Sequence, residues 1–105
     1  MATPPSKHYQ VLKERHPGFL DAAEALGKAV KNEGPLDEKT AQLIQLAAAT
    51  TIRSEGSVHS HTRRALDAGA TADEIHHALI LLTGTIGFPG VAAALSWADD
   101  VIGVA

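Results

Sequence analysis

The residues with the widest chemical range in this sequence are its histidines, six among 105 residues, and they stand beside a complete lack of cysteine. Imidazole titrates near neutrality, so a histidine can give or take a proton under ordinary conditions. Without cysteine there is no thiolate nucleophile, no disulfide and no thiolate-bound metal. The densest group of reactive side chains is Ser54-Glu55-Gly56-Ser57-Val58-His59-Ser60-His61-Thr62-Arg63-Arg64-Ala65-Leu66. On a helix, residues three and four apart share a face and residues two apart do not. Ser54, Ser57 and His61 therefore fall on one side, and Glu55, His59 and Arg63 on the other. Val58, Thr62, Ala65 and Leu66 form the apolar stripe between them.

This sorting decides one idea at once. His59-x-His61 has the look of a chelate, but at 3.6 residues per turn its two imidazoles point about 200° apart. They cannot grip one ion unless the helix has not begun at His59. His76-His77 is a poorer pair for the same reason. A metal held between subunits by His59, His61, His76 or His77 remains open, without cysteine or a suitably spaced carboxylate to support it. His61 itself has two readings. One is a boundary histidine hydrogen-bonded to Ser57 one turn back; the other is a general acid or base. Glu55 and His59 have the i, i+4 spacing of an ion pair, or of an ordinary solvated face. Ser54 and Ser57 read as helix-cap residues, because a serine nucleophile needs an adjacent base and an orienting acid.

These residues must be positioned by helices, since no segment alternates apolar and polar residues as a half-buried strand does. Helix ends are marked along the chain. Ser6 to Arg15 reads as a first helix, closed by Pro17-Gly18. Phe19 to Lys31 is a second, with Phe19, Leu20, Ala23, Leu26 and Val30 as its apolar stripe. A turn at Asn32-Glu33-Gly34-Pro35 leads to Asp37, an N-cap for a third helix from Glu38 to about Arg53. Leu43, Ile44, Leu46, Ala47 and Thr50 would line its buried side. The fourth helix, after the break at Ser54-Glu55-Gly56, runs to Ala68 and stops at Gly69. Thr71-Ala72-Asp73-Glu74 has the form of a capping box. It opens a fifth helix with apolar residues from Ile75 to Ile86 on nearly every side, which calls for the domain centre or a subunit interface. Gly87-Phe88-Pro89-Gly90 separates this from a last helix, Val91 to about Val101.

Length and charge set the outer bounds. Residues 1–105 form one expected domain, and a core of this size, rich in alanine and with 4% aromatics, is modest. Self-association would add burial. The net charge of −3 gives no electrostatic support for nucleic-acid binding. No run of about 18 apolar residues spans a membrane, and Met1 to Lys7 has no apolar core of a signal peptide. A cytoplasmic location is the expectation.

Several of these segments resemble one family. They are Leu36-Asp37-Glu38-Lys39-Thr40, Leu43-Ile44-Gln45-Leu46-Ala47, His61-Thr62-Arg63-Arg64-Ala65-Leu66-Asp67-Ala68-Gly69-Ala70-Thr71, Gly87-Phe88-Pro89 and Trp97-Ala98-Asp99-Asp100. Together, over about residues 36 to 102, they look like the carboxymuconolactone decarboxylase and alkylhydroperoxidase D-like (AhpD-like) superfamily. The resemblance implies an all-α, AhpD-like bundle of about six helices, assembled as a homo-oligomer such as a trimer or hexamer. The peroxidase branch carries a glutamate, eleven residues, then Cys-x-x-Cys-x-x-x-His. Placing His61 on that histidine puts Ser54 and Ser57 on the cysteines and Gln42 on the glutamate. Peroxide reduction by that route needs the thiolate, so the resemblance does not carry that activity here.

The decarboxylase branch lacks the cysteine pair and has a Glu-Gly step like Glu55-Gly56 and a Gly-x-Pro step like Gly87-Phe88-Pro89. Its acidic and histidine positions fall on Ser57, Ala93 and Ser96. The implied reaction is loss of CO2 from a small unsaturated lactone acid, with no metal or organic cofactor. It needs a donor for the developing enolate and a proton for carbon. His61 is the candidate catalytic acid, and Gln42, Ser54, Glu55, Ser57 and His59 are candidates for binding or support. The expected partners are a small-molecule substrate or ligand and further copies of the chain, with no nucleic acid and no membrane. Two other readings stay open: an oligomer that has lost its chemistry and binds a small molecule or acts as a scaffold, and the intersubunit histidine metal site.

Overall fold

A computed structural model of the protein describes residues 6–103. The described residues are helical throughout, joined by short turns, with no strand among them. They fall into two compact units, residues 6–37 and residues 38–103.

The first unit is a helix pair, α1 (Lys7–Arg15) and α2 (Pro17–Lys31). Ser6 caps α1, its hydroxyl accepting the Tyr9 N–H at 3.2 Å. The pair is tied at Glu24 on α2, whose carboxylate accepts from the Tyr9 hydroxyl and meets Lys13 Nζ at 3.1 Å. Those two donors hold the Glu24 carboxyl below its ordinary range, the Tyr9 hydroxyl foremost. The hydrogen bond and charge of Glu24 hold Lys13 above its own. Pro17-Gly18 does not form the expected turn, because α2 begins at Pro17 and only His16 separates the helices. Proline suits a first helical position, where its missing N–H would have no intrahelical acceptor. The stripe on α2 is exposed at Phe19, Ala23, Leu26 and Val30, while Leu20 is buried.

The second unit holds α3 (Glu38–Thr51), α4 (Glu55–Asp67), α5 (Ala72–Ile80), α6 (Thr83–Ile86) and α7 (Phe88–Ile102). Its core is Leu46 and Ala49 of α3, Val58 and Ala65 of α4, Ala70, Ile75 and Leu79 of α5 and its approach, and Ala94 and Ala98 of α7. Alanine at the contacts lets helix backbones come close. Leu43, Leu66, Leu82, Leu95, Trp97 and Ile102 pack around this centre.

Four sequence expectations are corrected here. On α3 the buried side is Gln42, Leu46, Ala49 and Thr50, while Ile44 is 52% exposed. That helix also ends two residues early. The Arg53 N–H bonds to Thr50 O and the Ser54 N–H to Ala49 O, each at 3.0 Å, with Arg53 at φ +56. This is a Schellman ending, with arginine where glycine is usual. The run from Ile75 to Ile86 is interrupted after Ile80, where the Thr83 hydroxyl takes the Ile80 carbonyl at 2.7 Å. Such a side-chain bond competes with the helical ladder. Ile80 and Leu81 are exposed, so this segment is not apolar-covered on every side within one chain. Finally, α7 starts at Phe88 rather than Val91, with Pro89 in its first turn and Gly87 before it at φ +88.

The break before α4 is shorter than expected, since Ser54 alone is the cap and Glu55 and Gly56 are already helical, while the end of α4 and the start of α5 follow the sequence closely. Gly69 has φ +96, its N–H bonds to Leu66 O at 3.0 Å, and the Ala70 N–H bonds to Ala65 O at 2.9 Å. The capping box is complete: Thr71 Oγ1 accepts the Glu74 N–H at 3.0 Å and Glu74 Oε1 accepts the Thr71 N–H at 2.9 Å. No helix among the described residues is long and apolar enough to cross a membrane.

Candidate functional site

α4 carries His59 and His61, and its N-terminus fixes their directions. Ser54 is the N-cap, its hydroxyl accepting the Ser57 N–H at 3.3 Å. The helix has therefore begun four residues before His59, and His59 and His61 diverge as an i, i+2 pair must. His61 turns to α3 and His59 turns to α7.

His61 Nδ1 lies 2.8 Å from Oε1 of Gln42. Gln42 is wholly buried, and its Nε2 donates to Oε1 of Glu38, one turn earlier on α3, at 2.9 Å. A chain of polar groups thus runs from an exposed carboxylate through the packed interior to a half-buried imidazole. Glu38 stands in the first turn of α3, where the positive end of the helix favours a carboxylate. The Nδ1 partner of His61 is on another helix, not Ser57 one turn back as one sequence reading had it. Sequence reasoning placed Gln42 at the site but missed Glu38. The i, i+4 spacing of Glu38 and Gln42 on a helix was the available signal.

His59 Nε2 meets Asp100 Oδ2 of α7 at 3.0 Å. The Glu55 carboxylate joins them, with one ligand atom from each residue within 4.8 Å of the others. Glu55 and His59 are thus neighbours, as their spacing implied, and the third member comes from a separate helix. This trio is what the described residues offer a divalent cation. A second histidine meets α7 beside it, with His76 Nε2 2.7 Å from Asp99 Oδ1. Asp99 and Asp100 lie near the C-terminus of α7, which has no basic residue in its last turn. The helix dipole disfavours carboxylates there, and each is met instead by a histidine from α4 or α5. Sequence reasoning missed both aspartates as partners.

The six named site residues therefore divide. Gln42 and His61 are in contact, Ser54 and Ser57 share the cap of the same helix, and Glu55 and His59 belong to the cluster at α7. Thr62, next to His61, is fully buried and its Oγ1 has no hydrogen-bond partner among the described residues.

Comparison with known proteins adds a family and a fold. A family model described as "Carboxymuconolactone decarboxylase family" matches residues 17–100. An uncharacterized protein of Methanocaldococcus jannaschii is 30% identical over 99 residues, covering 94% of this chain and 92% of that protein. An uncharacterized protein of Haemophilus influenzae is 40% identical over 59 residues, which is 56% of this chain and 52% of that one. The solved apo structure of a carboxymuconolactone decarboxylase family protein from Legionella pneumophila superposes with a TM-score of 0.76 at 22% identity. That superposition covers 91% of this chain and 86% of the other, and shows a shared fold.

Proposed function

We infer a function from one premise: this chain belongs to the carboxymuconolactone decarboxylase family. The reading is cofactor-independent decarboxylation of a small carboxylate or lactone, with His61 as proton donor. The substrate carboxylate leaves as CO2, and the electron pair of the broken C–C bond passes into the conjugated system as an enolate. The His61 imidazolium then gives one proton to carbon and is reprotonated from water. One proton is consumed and one C–H bond formed for each CO2 released.

The observation that carries this reading is the contact between His61 and the fully buried Gln42. A general acid must be held in one orientation, and a partner that water cannot displace supplies that. The Gln42 amide is itself fixed from behind by its bond to the Glu38 carboxylate. Ser57, at the same helix end, is on the face that His61 shares and is suited to a substrate oxygen. Ser54 is committed to its cap, and a chain with no cysteine cannot run the thiol peroxidase cycle.

Self-association goes with this reading. Phe19, Leu26 and Val30 on α2 are each more than half exposed, as are Ile44, Ile80, Leu81 and Phe88. Apolar surface on this scale suits contact with further copies of the chain. The test of the function is CO2 release from γ-carboxymuconolactone by the wild-type protein and by His61→Ala. Release by the wild type that disappears in the variant supports the reading, and equal release by both sinks the role of His61.

A further inference from the structure

The hydrogen bonds behind His61 have a direction, and the direction starts at Glu38. A carboxylate offers only acceptor oxygens. Of the two ends of the Gln42 amide, the NH2 must therefore face Glu38, as it does at 2.9 Å. The opposite orientation would set acceptor against acceptor at that distance. The amide is planar with fixed ends, so its oxygen is left facing α4, 2.8 Å from His61 Nδ1. An amide oxygen also only accepts, so Nδ1 carries the hydrogen. In the neutral ring that leaves the lone pair on Nε2.

We propose that Glu38 is a positioning residue that acts through Gln42 to hold His61 as the Nδ1–H tautomer, making Nε2 the atom that takes up and delivers the proton. The tautomer half stands on the hydrogen-bond geometry alone, while the delivery half rests on the acid/base reading above. Gln42 without Glu38 has no fixed orientation. Turned over, it would present NH2 to His61, demand a lone pair on Nδ1 and move the hydrogen to Nε2. The basic nitrogen would then face the interior of the protein, where no substrate reaches it. Glu38 thus selects between a ring poised for chemistry and one turned the wrong way round. Because Gln42 is wholly buried, no water competes for either of its ends.

The experiment is nitrogen-15 NMR of the full chain, reading the two His61 ring nitrogens at a pH where the ring is neutral. The wild type is expected to show a pyrrole-like Nδ1 and a pyridine-like Nε2. Glu38→Gln, which keeps size but no longer dictates amide direction, is expected to shift both resonances towards each other as the tautomers mix. Glu38→Asp, which keeps the carboxylate, is expected to retain more of the wild-type pattern than Glu38→Gln. Far-ultraviolet circular dichroism checks that each variant folds, and Glu38, exposed at a helix end, is an undemanding position to change. A wild-type ring with its hydrogen on Nε2, or an unchanged pattern in Glu38→Gln, overturns the proposal. A pattern as expected together with full turnover by His61→Ala would leave the tautomer assignment standing and remove the acid/base reading instead.

Discussion

His61 Nδ1 and Gln42 Oε1 are 2.8 Å apart, joining α4 to α3 across 19 positions of sequence. Gln42 is wholly buried, so this is a contact inside the packed unit rather than a surface association. Replacing Gln42 by leucine keeps the burial but leaves the His61 Nδ1 hydrogen without that acceptor. An unpartnered buried polar group costs about 1–3 kcal/mol. Urea denaturation of Gln42→Leu should show a loss of stability in that range, and an unchanged midpoint would mean the bond contributes nothing.

Thr62 makes the opposite case. Its hydroxyl is fully buried with no hydrogen-bond partner among the described residues. Valine has the same branched shape without the polar atom. Thr62→Val should therefore raise stability by about 1 kcal/mol. A loss of stability on thermal unfolding would show that the hydroxyl is satisfied in solution.

Two helix endings use the same hydrogen-bond pattern with different residues. Gly69 after α4 and Arg53 after α3 both have positive φ, +96 and +56. A side chain there costs roughly 1–2 kcal/mol. Gly69→Ala should lower stability by about that much. Arg53→Gly should raise it by roughly 0.5–1 kcal/mol, since glycine also adds freedom to the unfolded chain. Paired denaturation curves that move in the same direction would contradict the assignment of strain.

Acid should loosen the start of α5. The backbone N–H of Thr71 and then Lys39 hold the Glu74 carboxyl below its ordinary value of 4.5. A carboxyl depressed on folding adds stability that is full above its ordinary value and disappears as pH falls through the folded one. The stability gap between wild type and Glu74→Gln should therefore be constant near neutrality and shrink as pH falls below about 4.5. A gap that widens on acidification would reverse the sign and contradict the capping-box account.

How far the sequence reveals this molecule depends on whether a signal is local. The Thr71 capping box, the Gly69 stop and the Ser54 break are local, and each forms as its residues indicate. Pro17 and Pro89 mislead because proline marks the first turn of a helix as readily as a turn between helices. The buried side of α3 includes Gln42 and not Ile44, which hydrophobic pattern alone does not favour, because a hydrogen-bonded amide can replace an apolar side chain in the interior. Resemblance to a motif drew attention to Gln42 and His61, and their contact joins separate helices. Glu38 and Asp100 escaped because their importance lies in partners that only packing brings near: His61 by way of Gln42, and His59.

The central claim is that a proton reaches the substrate carbon from His61, and decarboxylation of γ-carboxymuconolactone in D2O tests it most directly. A donor held in one place by Gln42 should deliver one deuteron to one face of the carbon, and His61→Ala should lose both rate and facial preference. Deuterium spread equally over both faces by the wild-type protein, or selective delivery that persists in His61→Ala, would contradict the account.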